Sequence, residues 1–287
     1  MTVAKKVFLN DNLIDFDQAH LPTSESGFLY GAGLFETLRS HNGMVFRLQD
    51  HLDRLFQSAA VLSIVHSYDK PYISDAIGRL LQANELSEAR LRLTLTNGPL
   101  TESEDQRKPT LLITAAAFRP YPAEYYKTGV LTILCPFRQN PTDPTCGHKT
   151  TCYYPRLLAL NLARQKGAVE ALWFTTDNRL AEGCISNVFL VKNSVLFTPP
   201  VETPVLPGIV RKTVRQLAQQ QSIELMEKDL DIGDVLDADE VFLTNVIMEV
   251  LPVIQVEKHA VGDGKAGPVT TKIRESFLAA IDTECRR

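Results

Sequence analysis

The chain has 287 residues, 44% of them hydrophobic and 22% charged, with a formal net charge of −4. That length holds two modest α/β domains or one large one, with a sizeable core either way. No basic excess is present to condense on a phosphate backbone, so nucleic acid is excluded as a main partner. Charged residues interrupt every apolar run short of a membrane span. The opening MTVAKKVFLNDN carries two lysines but no apolar stretch of a secretory signal. Five cysteines (Cys135, Cys146, Cys152, Cys184 and Cys285) are an odd number in a long chain. They point to free thiols in a reducing compartment, and a cytoplasmic protein is expected.

In chain order, VFLNDNLID predicts a hairpin with an Asn-Asp-Asn turn. Arg47 to Leu62 predicts a helix, because Leu48, Leu52, Leu55, Phe56, Ala59 and Leu62 recur at three and four residues. A second helix follows Pro71. RLRLTLT (90–96) alternates, with Leu91, Leu93 and Leu95 on one face and Arg90, Arg92, Thr94 and Thr96 on the other, a strand with one buried face. LLITAAAF (111–118) is a continuous apolar run and reads as a strand buried on both faces. RPYPAEYYKTG (119–129), with two prolines and a glycine, is the expected interdomain linker. Beyond it strands and helices alternate: VLTILC, a helix over Pro155 to Gln165, ALWFTT, NVFLV, a helix over Ile209 to Gln220, EVFLT and a last helix near 270–283. The expected architecture is α/β (α+β) in two domains, a small N-terminal one over 1–118 and a larger mixed one over 130–287.

Four stretches can carry chemistry, each with a plainer rival. In HKTTCYYPR (148–156), Lys149 precedes a helix and has Tyr153 four residues on. A lysine kept neutral by its surroundings can form a Schiff base, whereas an ordinary lysine is solvated. Cys146, His148 and Cys152 lack the paired spacing of a zinc site, and no metal is expected. In RLAEGCISNVFLV (179–191), Glu182 and Gly183 are placed at a tight turn. Glu182 is a cofactor anchor if buried against a cation and a turn glutamate otherwise. In TPPVETPVLPGIVRKTV (198–214), Pro207-Gly208 precedes a helix whose first amides, of Ile209 and Val210, can form a phosphate cup or simply follow a turn. In GFLYGAGLFETLRSHNG (27–43), the third glycine of a dinucleotide fingerprint is missing and no βαβ unit precedes it, so that reading is rejected. Arg54, in the helix that follows, can face a phosphate bidentately or lie on the surface.

No single stretch is specific, but the ordered set is. YGAGLFETLR, FRLQDHLDRL, Lys149 with Tyr153, AEGCISNVFLV, TPPVETPVLPGIVR and ADEVFLTNVIMEVLPV resemble the fold-type IV pyridoxal-phosphate enzymes, the class IV aminotransferases, from about residue 5 to 256. The resemblance implies pyridoxal 5'-phosphate as cofactor, and a homodimer with sites near the subunit interface. Lys149 is then the Schiff-base lysine that moves a proton at the substrate carbon, and Glu182 the partner of the pyridine nitrogen. Arg54, Gly208 and the amides of Ile209 and Val210 become the phosphate cup. Asn245 becomes a further phosphate contact, and Tyr153 the partner of the cofactor's phenolic oxygen. Ser186 and Asn187 fall in the same cofactor-binding set. Tyr30, Phe35, Arg90 and Arg92 become candidates for substrate contact, although a strand arginine facing solvent is the plainer reading of the last two. Many relatives have threonine where this chain has Val210, so a hydroxyl contact to phosphate is missing while the backbone amide remains.

Within that family FETLR, RLRLTLTNG, KTTCY and ADEVFLTNVIMEVLPV resemble bacterial 4-amino-4-deoxychorismate lyases. Branched-chain enzymes have Phe-Glu-Gly where this chain has Phe35-Glu36-Thr37. D-amino-acid aminotransferases place an Arg and a His in the loop that is NGPLTESEDQR here, without His. Thr37 is a candidate catalytic hydroxyl near the substrate. The lyase is the first expectation, and an aminotransferase of branched-chain or D-amino acids with 2-oxoglutarate the second. A non-catalytic protein keeping the fold is a distant third, because Lys149 and Glu182 are both present.

Overall fold

The structure is a computed structural model that describes residues 5–101 and 108–286. The chain divides into two compact units. One comprises Met1–Arg119, His148–Cys152 and Ile281–Arg287, and the other Pro120–Gly147 and Tyr153–Ala280.

The first unit begins with the hairpin β1 (Lys6–Leu9) and β2 (Asn12–Asp15). Asn10 takes the left-handed conformation that its short polar side chain tolerates at the turn. The short helix α1 (Ser26–Tyr30), β3 (Gly33–His41) and β4 (Met44–Val45) follow. Next come α2 (Leu48–Val61), α3 (Lys70–Ala83), β5 (Ala89–Thr96) and β6 (Thr110–Ala117). The strands form one sheet in the order β2-β1-β6-β5-β3-β4. Leu52 and Leu55 of α2 and Ile73, Ile77 and Leu80 of α3 pack on the leucine face of β5, as their three-and-four spacing requires. Asp69 caps α3 by accepting from Tyr72 N–H at 2.8 Å. Only one face of β6 is buried: Leu111, Ile113 and Ala115 are covered, while Leu112, Thr114 and Ala116 are only partly so. The expectation of burial on both faces fails because alanine and threonine serve either environment, so a run of them conceals the alternation.

The second unit opens with α4 (Ala123–Thr128), inside the segment 119–129 that reads as a linker in sequence. The chain does change units at Arg119–Pro120, but Pro122 starts a helical turn, Tyr125 and Tyr126 pack on the unit's core, and Gly129 ends it at positive φ. Then come β7 (Val130–Gln139), α5 (Tyr154–Gln165), β8 (Glu170–Thr175), β9 (Leu180–Gly183), β10 (Asn187–Lys192) and β11 (Val195–Thr198). After them lie α6 (Ile209–Gln220), β12 (Leu225–Glu227), α7 (Ile232–Leu236), β13 (Glu240–Asn245), β14 (Glu249–Val256) and β15 (His259–Ala260). The last helix is α8 (Pro268–Glu284). The sheet runs β12-β11-β10-β13-β14-β7-β8-β9, with β15 on β14. Its central strands read as unbroken apolar runs, such as Val188–Val191 and Val241–Leu243, and are buried on both faces.

His148–Cys152 falls in the first unit, not in a C-terminal domain that begins at 130. Backbone pairing explains this. Phe35 N–H donates to Lys149 O, and Thr151 N–H to Gly33 O, each at 2.8 Å, so the segment runs alongside β3. Among the described residues no helix is long and apolar enough to cross a membrane.

Candidate active site

The pairing with β3 fixes Lys149. Its amine lies 4.6 Å from the centroid of the Phe35 ring. Side chains alternate along β3, so Glu36 and Leu38 point to the helices while Phe35, Thr37 and Arg39 share the opposite face. The register with β5 sets Thr94 opposite Phe35, Arg92 opposite Thr37 and Arg90 opposite Arg39. The Arg92 guanidinium stacks on Phe35 at 3.8 Å, and Arg39 on Phe118 at 3.7 Å. One aromatic ring thus carries the Lys149 amine and the Arg92 guanidinium. Arg90 and Arg92 are exposed, as a strand face away from the core allows, and Tyr30 at the end of α1 is also exposed. Residues 102–107 of the loop after β5 lie outside the described residues.

Arg54 is not a surface arginine. It is buried on the inner face of α2, its Nε donating to Glu36 Oε1 at 2.8 Å and its Nη2 to Oε2 at 2.5 Å. His51 Nδ1 lies 2.8 Å from the same Oε2. Burial raises the Glu36 carboxyl, but the Arg54 charge and the His51 hydrogen bond outweigh it and hold it at about 2. Burial lowers the titration of the His51 imidazole, against the pull of the Glu36 carboxylate. This fork fixes the direction of Arg54. Glu36 and His51 escaped the sequence reading. The available signal was a carboxylate at a core-facing position of β3, which requires a cation beside it.

In the second unit Glu182 lies within β9, not at a tight turn; the turn is Cys184–Ser186, after the strand. Glu182 is buried, and Arg156 of α5 donates to its Oε1 at 2.5 Å. Leu206 N–H donates to Oε2 at 3.1 Å. Arg156 is the third residue missed from sequence, although it stands in the stretch 148–156, two places after the start of α5. Its Nη1 reaches Gly183 O at 3.2 Å and Cys184 O at 3.3 Å. The Tyr153 hydroxyl donates to Cys184 O at 3.1 Å, and burial pushes the phenol's titration up.

Gly208 caps α6 without a side-chain cap, so the first amides of the helix, from Ile209 and Val210, have no intrahelical acceptor. A Cβ on Gly208 would stand 1.9 Å from Asn187 Oδ1, and Asn187 Nδ2 donates to Leu206 O at 2.9 Å. Asn187 and Glu182 therefore both hold the Leu206–Gly208 approach to α6. Asn245 Nδ2 donates to Ile185 O at 2.9 Å, and its Oδ1 accepts from Ile247 and Met248 N–H at 2.8 Å each. Ser186 Oγ donates to Glu170 Oε1 at 2.8 Å. The structure thus brings Glu182, Tyr153, Ser186, Asn187, Gly208, Ile209, Val210 and Asn245 into one neighbourhood of the second unit. It brings Lys149, Phe35, Thr37 and Arg92 together in the first, with Arg54 on the other side of β3. No group of three or more His, Cys, Asp or Glu side chains among the described residues is arranged to hold a metal.

The donor set fits a pyridine phosphate. A helix start with uncommitted amides suits a phosphate dianion. A buried carboxylate held between a guanidinium and an amide retains lone pairs for a ring N–H. Residues 33–256 match the family model described as amino-transferase class IV. The chain belongs to the class IV aminotransferase family. A Methanocaldococcus jannaschii protein named "Putative branched-chain-amino-acid aminotransferase" is 34% identical over 95% of both chains. The D-alanine aminotransferase of Listeria monocytogenes is 28% identical over 98% of this chain and 97% of its own. The aminodeoxychorismate lyase of Bacillus subtilis is 29% identical over 93% and 92%. The crystal structure of the Escherichia coli branched-chain amino acid aminotransferase superposes with a TM-score of 0.93 at 28% identity, covering 99% of this chain and 96% of that one. The class IV fold is that of fold-type IV enzymes, whose cofactor is pyridoxal 5'-phosphate. Glu182 and the α6 amides are the groups of the second unit suited to hold it.

Proposed function

We propose that the chain is a 4-amino-4-deoxychorismate lyase, with Lys149 as its proton carrier. The observation that carries this is the single ring of Phe35 bearing both the Lys149 amine and the Arg92 guanidinium. Thr37 lies in register with Arg92, and Arg39 with Arg90. A substrate bound over that face meets a base and an arginine that share one aromatic ring, with more cationic side chains beside them. That suits a small ring bearing an amine and two carboxylates, each able to take an arginine fork. Glu182 and the α6 amides would hold pyridoxal phosphate, which when bound would supply an electron sink beside the reacting carbon. Lys149 Nζ takes the proton from the amine-bearing ring carbon. The enolpyruvyl C–O bond then breaks, the leaving group takes up a proton to become pyruvate, and the ring becomes p-aminobenzoate. The Ile209 and Val210 amides and Asn245 are proposed to bind the phosphate, and Tyr153 the phenolic oxygen. Working enzymes are proposed to be homodimers.

An amino-acid aminotransferase is the second reading, favoured by the likeness to the Methanocaldococcus and Listeria proteins. A substrate panel separates the two. Aminodeoxychorismate is expected to give p-aminobenzoate and pyruvate in equal amounts. Branched-chain L-amino acids and D-alanine with 2-oxoglutarate are expected to turn over at least about tenfold more slowly, the order of discrimination that one missing pocket contact gives. Amino-acid turnover without p-aminobenzoate overturns the lyase reading.

A further inference from the structure

One buried carboxylate of the second unit takes no part in the chemistry described above. Glu170 opens β8 and is fully buried; among the described residues four donors hold its carboxylate. Oε1 accepts from Ile185 N–H at 2.9 Å and Ser186 Oγ at 2.8 Å. Oε2 accepts from Cys184 N–H at 2.9 Å and Ala171 N–H at 3.1 Å. Only an ionised carboxylate accepts all four without loss. Burial pushes its titration up, and the four donors oppose that. Three of the donors belong to the turn 184–186, which Gly183 N–H closes by donating to Ser186 O at 2.7 Å. The approach is so close that a Cβ on Gly183 would stand 2.3 Å from Ser186 Oγ and 2.8 Å from Glu170 Oε1.

The carbonyls of this turn face the site. Cys184 O receives the Tyr153 hydroxyl and Arg156 Nη1, Gly183 O receives Arg156 Nη1, and Ile185 O receives Asn245 Nδ2. Arg156 in turn reaches Glu182. With its amides pulled to one side by Glu170, the turn presents its carbonyls to the other, and these set Arg156 and Tyr153 around Glu182.

We propose that Glu170 is a positioning residue: through the Cys184–Ser186 turn it fixes the carbonyls that orient Arg156 and Tyr153 beside Glu182. This rests on Glu182 facing the pyridine ring, not on which substrate is used. In Glu170→Gln the new NH2 faces at least one backbone N–H in either orientation, that of Ile185 or those of Cys184 and Ala171. In cofactor-free protein, amide hydrogen exchange over 183–187 is expected to speed at least about tenfold, while 89–96 in the first unit is unchanged. Because that readout needs no cofactor, it can fail independently of the functional reading. In the holoenzyme the pH midpoint of the cofactor's visible band is expected to shift. Tyr153→Phe is expected to reduce the further shift from Glu170→Gln without abolishing it, because it removes the route through the Tyr153 hydroxyl and leaves the one through Arg156. Additive shifts, unchanged exchange, or exchange raised evenly across the second unit would overturn the proposal. Should Glu170→Gln fail to fold, Ser186→Ala removes one donor and keeps the carboxylate. It is then expected to speed exchange over the same segment at least about threefold, and no change there overturns the proposal equally.

Discussion

Lys149→Ala is expected to lower turnover by at least about 10³-fold, because it removes the covalent attachment and the proton carrier together. The protein should fold as before. What ties residue 149 to β3 is its carbonyl, which accepts from Phe35 N–H, and alanine keeps it. The lost side chain touches the Phe35 ring from the face of the sheet away from the α2–α3 core. Thermal midpoint and far-ultraviolet spectrum should therefore match wild type while turnover collapses. A small alkylamine added to the variant should restore a measurable fraction of the rate, as a free base entering the space the side chain leaves. Turnover within tenfold of wild type would show that another group carries the proton.

Glu182→Gln is expected to keep the cofactor bound and to cost about 10²-fold in turnover, the usual scale for loss of a charge placed to stabilise the reacting state. The carboxylate that would hold the pyridine nitrogen protonated becomes an amide, and the ring withdraws electrons less well. A structural cost comes with it, because Arg156 loses the anion beside it. Removing one partner of a largely buried pair costs about 3 kcal/mol, so the melting midpoint should fall by several degrees. Cofactor content, turnover and melting separate the two effects. Loss of the cofactor along with activity would mean that Glu182 anchors more than it tunes. Full activity would remove it from the chemistry.

Much of this molecule was legible because its patterns are simple. Leu91, Leu93 and Leu95 announce a strand with one dry face, and the spacing of Leu48, Leu52, Leu55 and Ala59 announces α2. The Pro207-Gly208 pair before an apolar-periodic run marks the start of α6. What the sequence conceals is pairing at a distance. Lys149 belongs with β3, more than a hundred residues earlier, because backbone bonds to Gly33 and Phe35 carry no side-chain signature. Arg54 reads either as a phosphate ligand or as a surface arginine until Glu36, on the inward face of β3, is seen to fork with it. Arg156 was in plain view, but nothing local reveals that its partner lies 26 residues on, in another strand. The alanines of β6 could belong to either face, and only the neighbouring strands decide. Glu182 looked like a turn residue because Gly183 follows it, yet that glycine is required by the close approach of Ser186 and Glu170.

The most direct measurement is borohydride reduction of the cofactor-loaded protein followed by peptide mass mapping. The account predicts a single phosphopyridoxyl mass, on the peptide that contains Lys149. The same mass on any other lysine, or none after the visible band has been bleached, would contradict it.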